Sequence, residues 1–227
     1  MSTLETLLAQ SPVFSCLSES RRNLLVESAI TRSYHKGDAV AHIGEIWPYL
    51  FIITKGGIHA IKSSQEGRNL VVTTFPKGDI FWGLAFFYEG LEMPVTLEAV
   101  EATQIALWPG EVMVPFLKSE GTVTWELSRL MIRKMARASE ILEEMTFQPV
   151  AGRLAKLLVD TGGAEPQRAI TRSLTLDEMA ARIGSTREMV CRFLHRFADD
   201  GIIDITRTEF KITDQKRLLE ITQNTKG

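Results

Sequence analysis

The spacing of hydrophobic and polar positions changes three times along this chain. Over residues 2–30, Leu4, Leu7 and Leu8 and then Leu24, Leu25 and Ile30 recur at helical spacing, with Ser11-Pro12 between them, which predicts one or two short helices. After Tyr34 the apolar residues come in short runs at 50–53, 58–61, 70–75, 95–97 and 104–108. Four turn signals punctuate that region: His35-Lys36-Gly37-Asp38, Lys55-Gly56-Gly57, Gln65-Glu66-Gly67-Arg68 and Pro76-Lys77-Gly78-Asp79. Many short strands bounded by glycine turns predict a small antiparallel barrel or roll.

From Gly121 to about Phe147 the period is helical again, with Val123, Leu127, Leu130/Met131, Met135, Ala138, Leu142 and Met145 recurring every three or four residues. A stripe over seven turns is too long for a single small core, so the helix is expected to pair with its copy; a buried intramolecular face is the alternative. The expected dimer contacts are Leu127, Met131, Met135, Ala138, Leu142 and Met145. Met and Ala in place of a clean Leu/Ile heptad make this a soft seam, able to change register or crossing angle when an effector binds.

Phe147-Gln148-Pro149 interrupts the pattern, because proline disfavours helix in the residue before it; it is read as a hinge. Residues 150–159 form a helix with Leu154, Leu157 and Leu158 inward, residues 161–166 (TGGAEP) a flexible connection, and residues 214–221 a final helix before a fraying end at 224–227.

Between these lies LTLDEMAARIGSTREMVCRFLHRFADDGII. Met179 and Ile183 are apolar ahead of Gly184, and Val190, Phe193 and Leu194 after it, so two short amphipathic helices meet at one tight turn. Thr175 can cap the first, over about 176–183, with Asp177 and Glu178 where the helix dipole favours negative charge. Gly184 can take the left-handed conformation that stops it, and Ala180 is small where two helices cross closely. The second helix starts from Ser185 or Thr186 and carries Arg187, Glu188, Cys191, Arg192, His195 and Arg196 outside its core face. IIDITRTEFKIT then alternates as a two-stranded hairpin. Helix, turn, helix and hairpin make a winged helix, and its arginine-rich surface suits the DNA major groove.

Composition adds little to this. With 227 residues, 44% hydrophobic and 24% charged, the chain is globular and long enough for two domains. The net charge of -2 does not announce a nucleic-acid binder. Its distribution leans that way: residues 148–227 hold 13 Lys and Arg against 11 Asp and Glu, and residues 1–147 hold 13 against 17. Cys16 and Cys191 are expected to be free thiols of a reducing cytoplasm, and two cysteines exclude a four-cysteine iron–sulfur cluster within the chain. No basic leader precedes an apolar core, and no run approaches ~18 apolar residues, so no membrane segment is expected. No Gly-rich phosphate loop, His/Cys metal spacing or nucleophile–base arrangement points to an enzyme.

At TREMVCRFLHRFADDGII the chain resembles the cyclic-AMP receptor protein/FNR (CRP/FNR) family of bacterial transcription regulators, and PVFSCLSESRRNLL resembles that family's opening. The resemblance implies an α+β fold over nearly the whole chain: an antiparallel cyclic-nucleotide-binding-like β-roll (1–120), a long dimerisation helix (121–147) and a winged helix-turn-helix (148–227). It also implies that Arg187, Glu188 and Arg192 read base edges, with Thr175, Thr186 and Cys191 beside them. Guanidinium suits guanine O6 and N7, and carboxylate the cytosine amino group. Cys191 stands where relatives often have Ser or Gly. Double-stranded promoter DNA, a second copy of the chain and RNA polymerase are the implied partners.

The departures fall in GDIFWGLAFFYEGLEMPVTLEA. Gly83 stands where nucleotide binders place a Glu for the ribose, Trp82 replaces a glycine, and Met93-Pro94 falls where an Arg-Ser pair holds the phosphate. With no cation there to neutralise it, cyclic AMP is not the expected ligand. Two readings of the aromatic cluster stand open. It forms an effector pocket from Phe81, Trp82, Gly83, Leu84, Met93 and Pro94, for an aromatic molecule or a haem with His35, His42 or His59 as axial ligand. Or the side chains simply pack the roll, which is favoured because aromatic clusters are more often core. A haem- or redox-based gas sensor, a regulator controlled only by its abundance, and a winged helix used for protein contact are the alternative functions.

Overall fold

The computed structural model describes residues 3–162, 169–171, 174–206 and 209–223. Most of the connection expected at 161–166 and the fraying expected at 224–227 lie outside them. The chain divides into two compact units, residues 1–62 with 72–137, and residues 63–71 with 138–227.

The first unit opens on α1 (Thr3–Gln10) and α2 (Glu19–Ser28), the latter capped by Ser18, whose hydroxyl accepts from the Arg21 amide. Strands β1 (Ile30–Tyr34), β2 (Ala39–Ala41), β3 (Tyr49–Lys55), β4 (Gly57–Ser63), β5 (Asn69–Pro76), β6 (Ile80–Trp82), β7 (Thr96–Ala99) and β8 (Thr103–Pro109) follow. They form two four-stranded sheets, ordered β1-β8-β3-β6 and β2-β7-β4-β5. Ile30, read with the helices from sequence, instead opens β1, opposite Leu107.

Strand β3 is apolar on both sides because both sides are covered. Phe51 and Ile53 join Ile58, Leu97, Ile105 and Leu107 between the sheets, while Leu50 and Ile52 pack with Trp108 under helical residues such as Leu8, Leu25 and Met113. The Trp108 indole N–H donates to the Leu25 carbonyl at 2.9 Å, which satisfies the one polar atom of a buried ring. Besides the short strands β1, β2 and β6, two elements of this unit lie outside the pattern read from sequence. A single 3-10 turn, Leu84–Phe86, follows β6, and α3 (Gly110–Ser119) carries Pro115 inside it. Met113 and Leu117, one helical turn apart, bury α3 against the same core. Helix α4 (Gly121–Phe147) has the extent its periodicity predicts, and the division between the units falls within it, after Arg137.

In the second unit, α5 (Val150–Gly162), β9 (Ala169–Thr171), α6 (Leu176–Ile183), α7 (Arg187–Asp199), β10 (Ile203–Ile205), β11 (Glu209–Ile212) and α8 (Gln215–Gln223) surround one core. It is built from Leu154 and Leu158 of α5, Met179 and Ile183 of α6, Val190, Leu194 and Phe197 of α7, and Ile203 and Phe210 of the wing. The wing has three strands, β10-β11-β9, rather than the two its alternation predicted. Among the described residues no helix is long and apolar enough to cross a membrane.

Candidate nucleic-acid interface and the roll interior

Helices α6 and α7 are set by caps that the sequence announces. Thr175 and Glu178 form a reciprocal capping box at the start of α6: Thr175 Oγ1 accepts from the Glu178 amide at 3.2 Å, and the Glu178 carboxylate accepts from the Thr175 amide at 2.7 Å. Gly184 ends α6 at φ 59°, the left-handed region that favours glycine. Two residues on, Thr186 caps α7 by accepting from the Met189 amide at 3.3 Å. The start left open between Ser185 and Thr186 is therefore at Thr186.

The caps fix which face of α7 is free. Val190, Leu194 and Phe197 are buried, and Arg187, Glu188, Arg192, His195 and Arg196 are exposed, with Cys191 half-buried at the edge. The Glu188 carboxylate is held below the usual carboxylate range, first by its own backbone amide, then by the Thr186 hydroxyl, with a smaller part from the Arg187 charge. Arg187 Nη1 lies 3.1 Å from the Asp177 carboxylate on α6, a pairing that the sequence reading missed. Cys191 Sγ stands 3.7 Å from His195 Nδ1, one turn along the helix. Both cysteines are free. Thr175, grouped with the readers from sequence, commits its side chain to the capping box.

The positions suggested for an effector differ in their surroundings. Phe81 packs between Phe75 and Trp82, with ring centroids 4.7 and 5.9 Å away. Trp82 and Met93 are buried, while Leu84 and Pro94 are exposed. Gly83 is buried, donates its amide to the Tyr49 carbonyl at 2.9 Å, and leaves no room for a Cβ, which would overlap the Trp47 carbonyl oxygen. These six residues are thus divided between buried and exposed positions. A cavity of about 310 Å³ lies elsewhere, among Phe86 and Phe87, Val114 and Leu117 of α3, and Leu127 and Met131 of α4. Lys134 reaches the roll from α4, but it is spent on Asp79, 3.5 Å away, and on the face of Phe75 at 4.7 Å. Of the suggested axial ligands, the His35 side chain is almost fully exposed beside Asp38, and His42 is exposed as well.

A Crp-like helix-turn-helix domain model matches residues 152–221, and a cyclic nucleotide-binding domain model matches residues 31–120. The CRP/FNR family claims this chain. A CRP-like cAMP-activated global transcriptional regulator of Mycobacterium tuberculosis is 26% identical over 222 residues, covering 95% of this chain and 98% of the relative. The cyclic AMP receptor protein of Thermus thermophilus is 24% identical, covering 93% and 96%. The fold is that of a crp/fnr-family regulator from Eubacterium rectale, with TM-score 0.77 and 23% identity over 94% of this chain and 98% of that one. It is also that of the c-di-GMP responsive regulator CLP of Xanthomonas campestris, with TM-score 0.76 and 17% identity over 86% and 99%.

Along the long helix of this CRP/FNR chain, the six residues expected to meet a second copy are not all free. Leu127 is 2% exposed in the core of its own unit, and Met131 packs against that core. The Met145 side chain lies over Gly184. Only Met135, Ala138 and Leu142 of the six expected residues are exposed. The free apolar face instead runs through Trp125, Ile132, Met135 and Leu142, each more than 60% exposed. With Ser128 and Ser139 these residues follow alternating steps of three and four, the a and d positions of a heptad. Leu127 and Trp125 are two residues apart and so point to nearly opposite sides. The helix therefore carries two apolar stripes, which a single three-or-four count merges.

Proposed function

We propose that this chain is a sequence-specific transcription regulator that works as a homodimer on a pseudo-palindromic promoter site. The observation that carries the reading is the exposed α7 face, where Arg187, Glu188 and Arg192 project from a helix whose other face is locked into the core. Guanidinium bonds guanine at O6 and N7, and a carboxylate kept ionised accepts from a cytosine amino group. Two such helices would enter successive major grooves about one helical turn apart. The second copy would pair along Trp125, Ile132, Met135 and Leu142, which removes a large apolar surface from water. Contact with RNA polymerase and a cytoplasmic location come with the family; no reaction is assigned to the chain, which acts by binding.

One relative is named as cAMP-activated and another as a cyclic AMP receptor protein, which makes cyclic AMP the first ligand to test on this chain. In this chain the corresponding stretch puts Met93 and Phe81 into the core between the sheets and Trp82 into the core under the helices, and Lys134 is already paired, which supports control that does not run through cyclic AMP or a haem. The test is a fluorescence-anisotropy titration of the purified protein on fragments selected from genomic DNA, with sedimentation in parallel. A dimer that selects a palindrome, with a melting temperature unmoved by cyclic AMP, is the expected result. A monomer indifferent to every fragment overturns the DNA reading, and a rise in melting temperature at micromolar cyclic AMP overturns the pocket reading.

A further inference from the structure

Arg153, on the first turns of α5, is only 8% exposed and carries no carboxylate hydrogen bond among those of the described residues. Its guanidinium is instead divided between the ends of two other helices. Nε donates to the Ile183 carbonyl at 2.8 Å and Nη2 to the Gly184 carbonyl at 3.4 Å, where α6 ends. Nη1 donates to the Gln148 carbonyl at 2.6 Å and reaches the Met145 carbonyl at 3.5 Å, where α4 ends. The last carbonyls of a helix have no partner within it and carry its negative dipole end, so one buried cation here satisfies two helix termini at once. Burial lowers the Arg153 pKa, and the nearby Glu144 charge opposes that shift.

Three further contacts close the same junction. The Met145 thioether lies over Gly184, Lys156 pairs with Glu144, and Gln148 Nε2 donates to the Thr222 carbonyl at 2.8 Å. The segment Phe147-Gln148-Pro149 breaks the helix geometrically, yet Gln148 is held by α5 and α8, and Arg153 links its carbonyl to the end of α6. A planar fork spreads five donors over three nitrogens and can span carbonyls that lie apart; the three donors of an ammonium share one nitrogen and cannot cover both sets.

We propose that Arg153 is a positioning residue that fuses the last turns of α4 to the helix-turn-helix corner, so that the break at Phe147-Gln148-Pro149 does not act as a joint. Only Ser185 separates the clamped Gly184 from Thr186, the cap of α7. A displacement of the end of α4 is therefore delivered to α7 without slack. The clamp is a property of the free protein. Its regulatory meaning rests on the proposed reading of α7 as the DNA-reading helix.

The test is a spin-label distance in the full-length protein without DNA, on a Cys16→Ser, Cys191→Ser background. Labels go on Glu143→Cys in α4 and Asp199→Cys in α7, diluted with unlabelled chain so that distances are read within one chain. The parent should give one narrow distance. Arg153→Met and Arg153→Lys should both broaden it, whereas Leu154→Ala, which opens a cavity one residue away, should lower the melting temperature and leave the width unchanged. Equal widths in parent and Arg153 variants, or equal broadening by Leu154→Ala, overturn the proposal. If neither Arg153 variant folds, hydrogen exchange in the parent decides: the Phe147 and Gln148 amides, the latter bonded to the Glu144 carbonyl, should be protected like their neighbours in α4, and fast exchange there overturns the clamp. Specific DNA affinity should fall roughly 2- to 30-fold in Arg153→Lys. Failure of the parent to bind DNA would count against the DNA reading alone, since the distances are measured without it.

Discussion

The Met145 sulfur lies 2.9 Å from where a Cβ on Gly184 would stand, so a side chain of the long helix closes directly over the corner of the helix-turn-helix. Gly184 also sits at φ 59°, a conformation that costs an L-residue about 1–2 kcal/mol. Gly184→Ala should therefore lower the melting temperature by calorimetry through both strain and overlap. Adding Met145→Ala should recover the part due to overlap only.

Arg192 is exposed on α7, forms no ion pair among the described residues and is free to meet a base edge. Arg192→Ala should cost about 1–3 kcal/mol at the specific site and relax preference at one base pair, with little change on random DNA. Competitive anisotropy against a panel of single-position site variants measures this directly; undiminished discrimination removes Arg192 from the reading surface.

Restoring a nucleotide binder's residue should fail at Gly83. The Trp47 carbonyl occupies the space a Cβ needs, and overpacking a buried position costs typically 1–3 kcal/mol and occasionally more. Gly83→Glu should thus unfold at lower temperature and gain no affinity for cyclic AMP, as followed by thermal denaturation with and without the nucleotide.

The two stripes of α4 should separate under mutation. Ile132→Glu, on the exposed face, should shift sedimentation toward monomer with the fold intact. Leu127→Ala, in the core, should cost about 2–5 kcal/mol of stability without a selective effect on assembly.

Because Glu188 has a depressed folded-state pKa, it stays ionised as pH falls through the ordinary carboxylate value of about 4.3. Any stability it contributes is present above that value and is lost only as pH drops through the lower folded pKa. Base preference at the Glu188-dependent position should accordingly be constant between about pH 5 and pH 8. A change in that window, absent in Glu188→Ala, would contradict the stated environment of this carboxylate.

The winged helix was legible because each of its signals is local. Thr175, Glu178, Gly184 and the Val190/Leu194 spacing act within a turn or two of themselves, and α6 has the expected bounds. Helix α3 was hidden because Pro115 reads as a breaker, and tertiary burial of Met113 and Leu117 overrides it. The third wing strand, β9, has only three residues and gains its place by pairing with β11, a long-range contact. Arg153 escaped notice for a similar reason: its partners are carbonyls, which every residue has, so no side-chain pattern points to them. Leu127 and Leu142 fit one period equally well, and only the packing of the first unit shows that Leu127 is already covered.

The pairing of Arg187 with Asp177 would make the proposed reading of a base a trade rather than a pure gain. In the unbound chain the guanidinium already has an anion, so a guanine must outbid a neighbouring carboxylate, while phosphates met in passing find that arginine engaged. Neutralising Asp177 should consequently tighten the grip on arbitrary sequence more than on the cognate one, and so cost the regulator selectivity instead of strength.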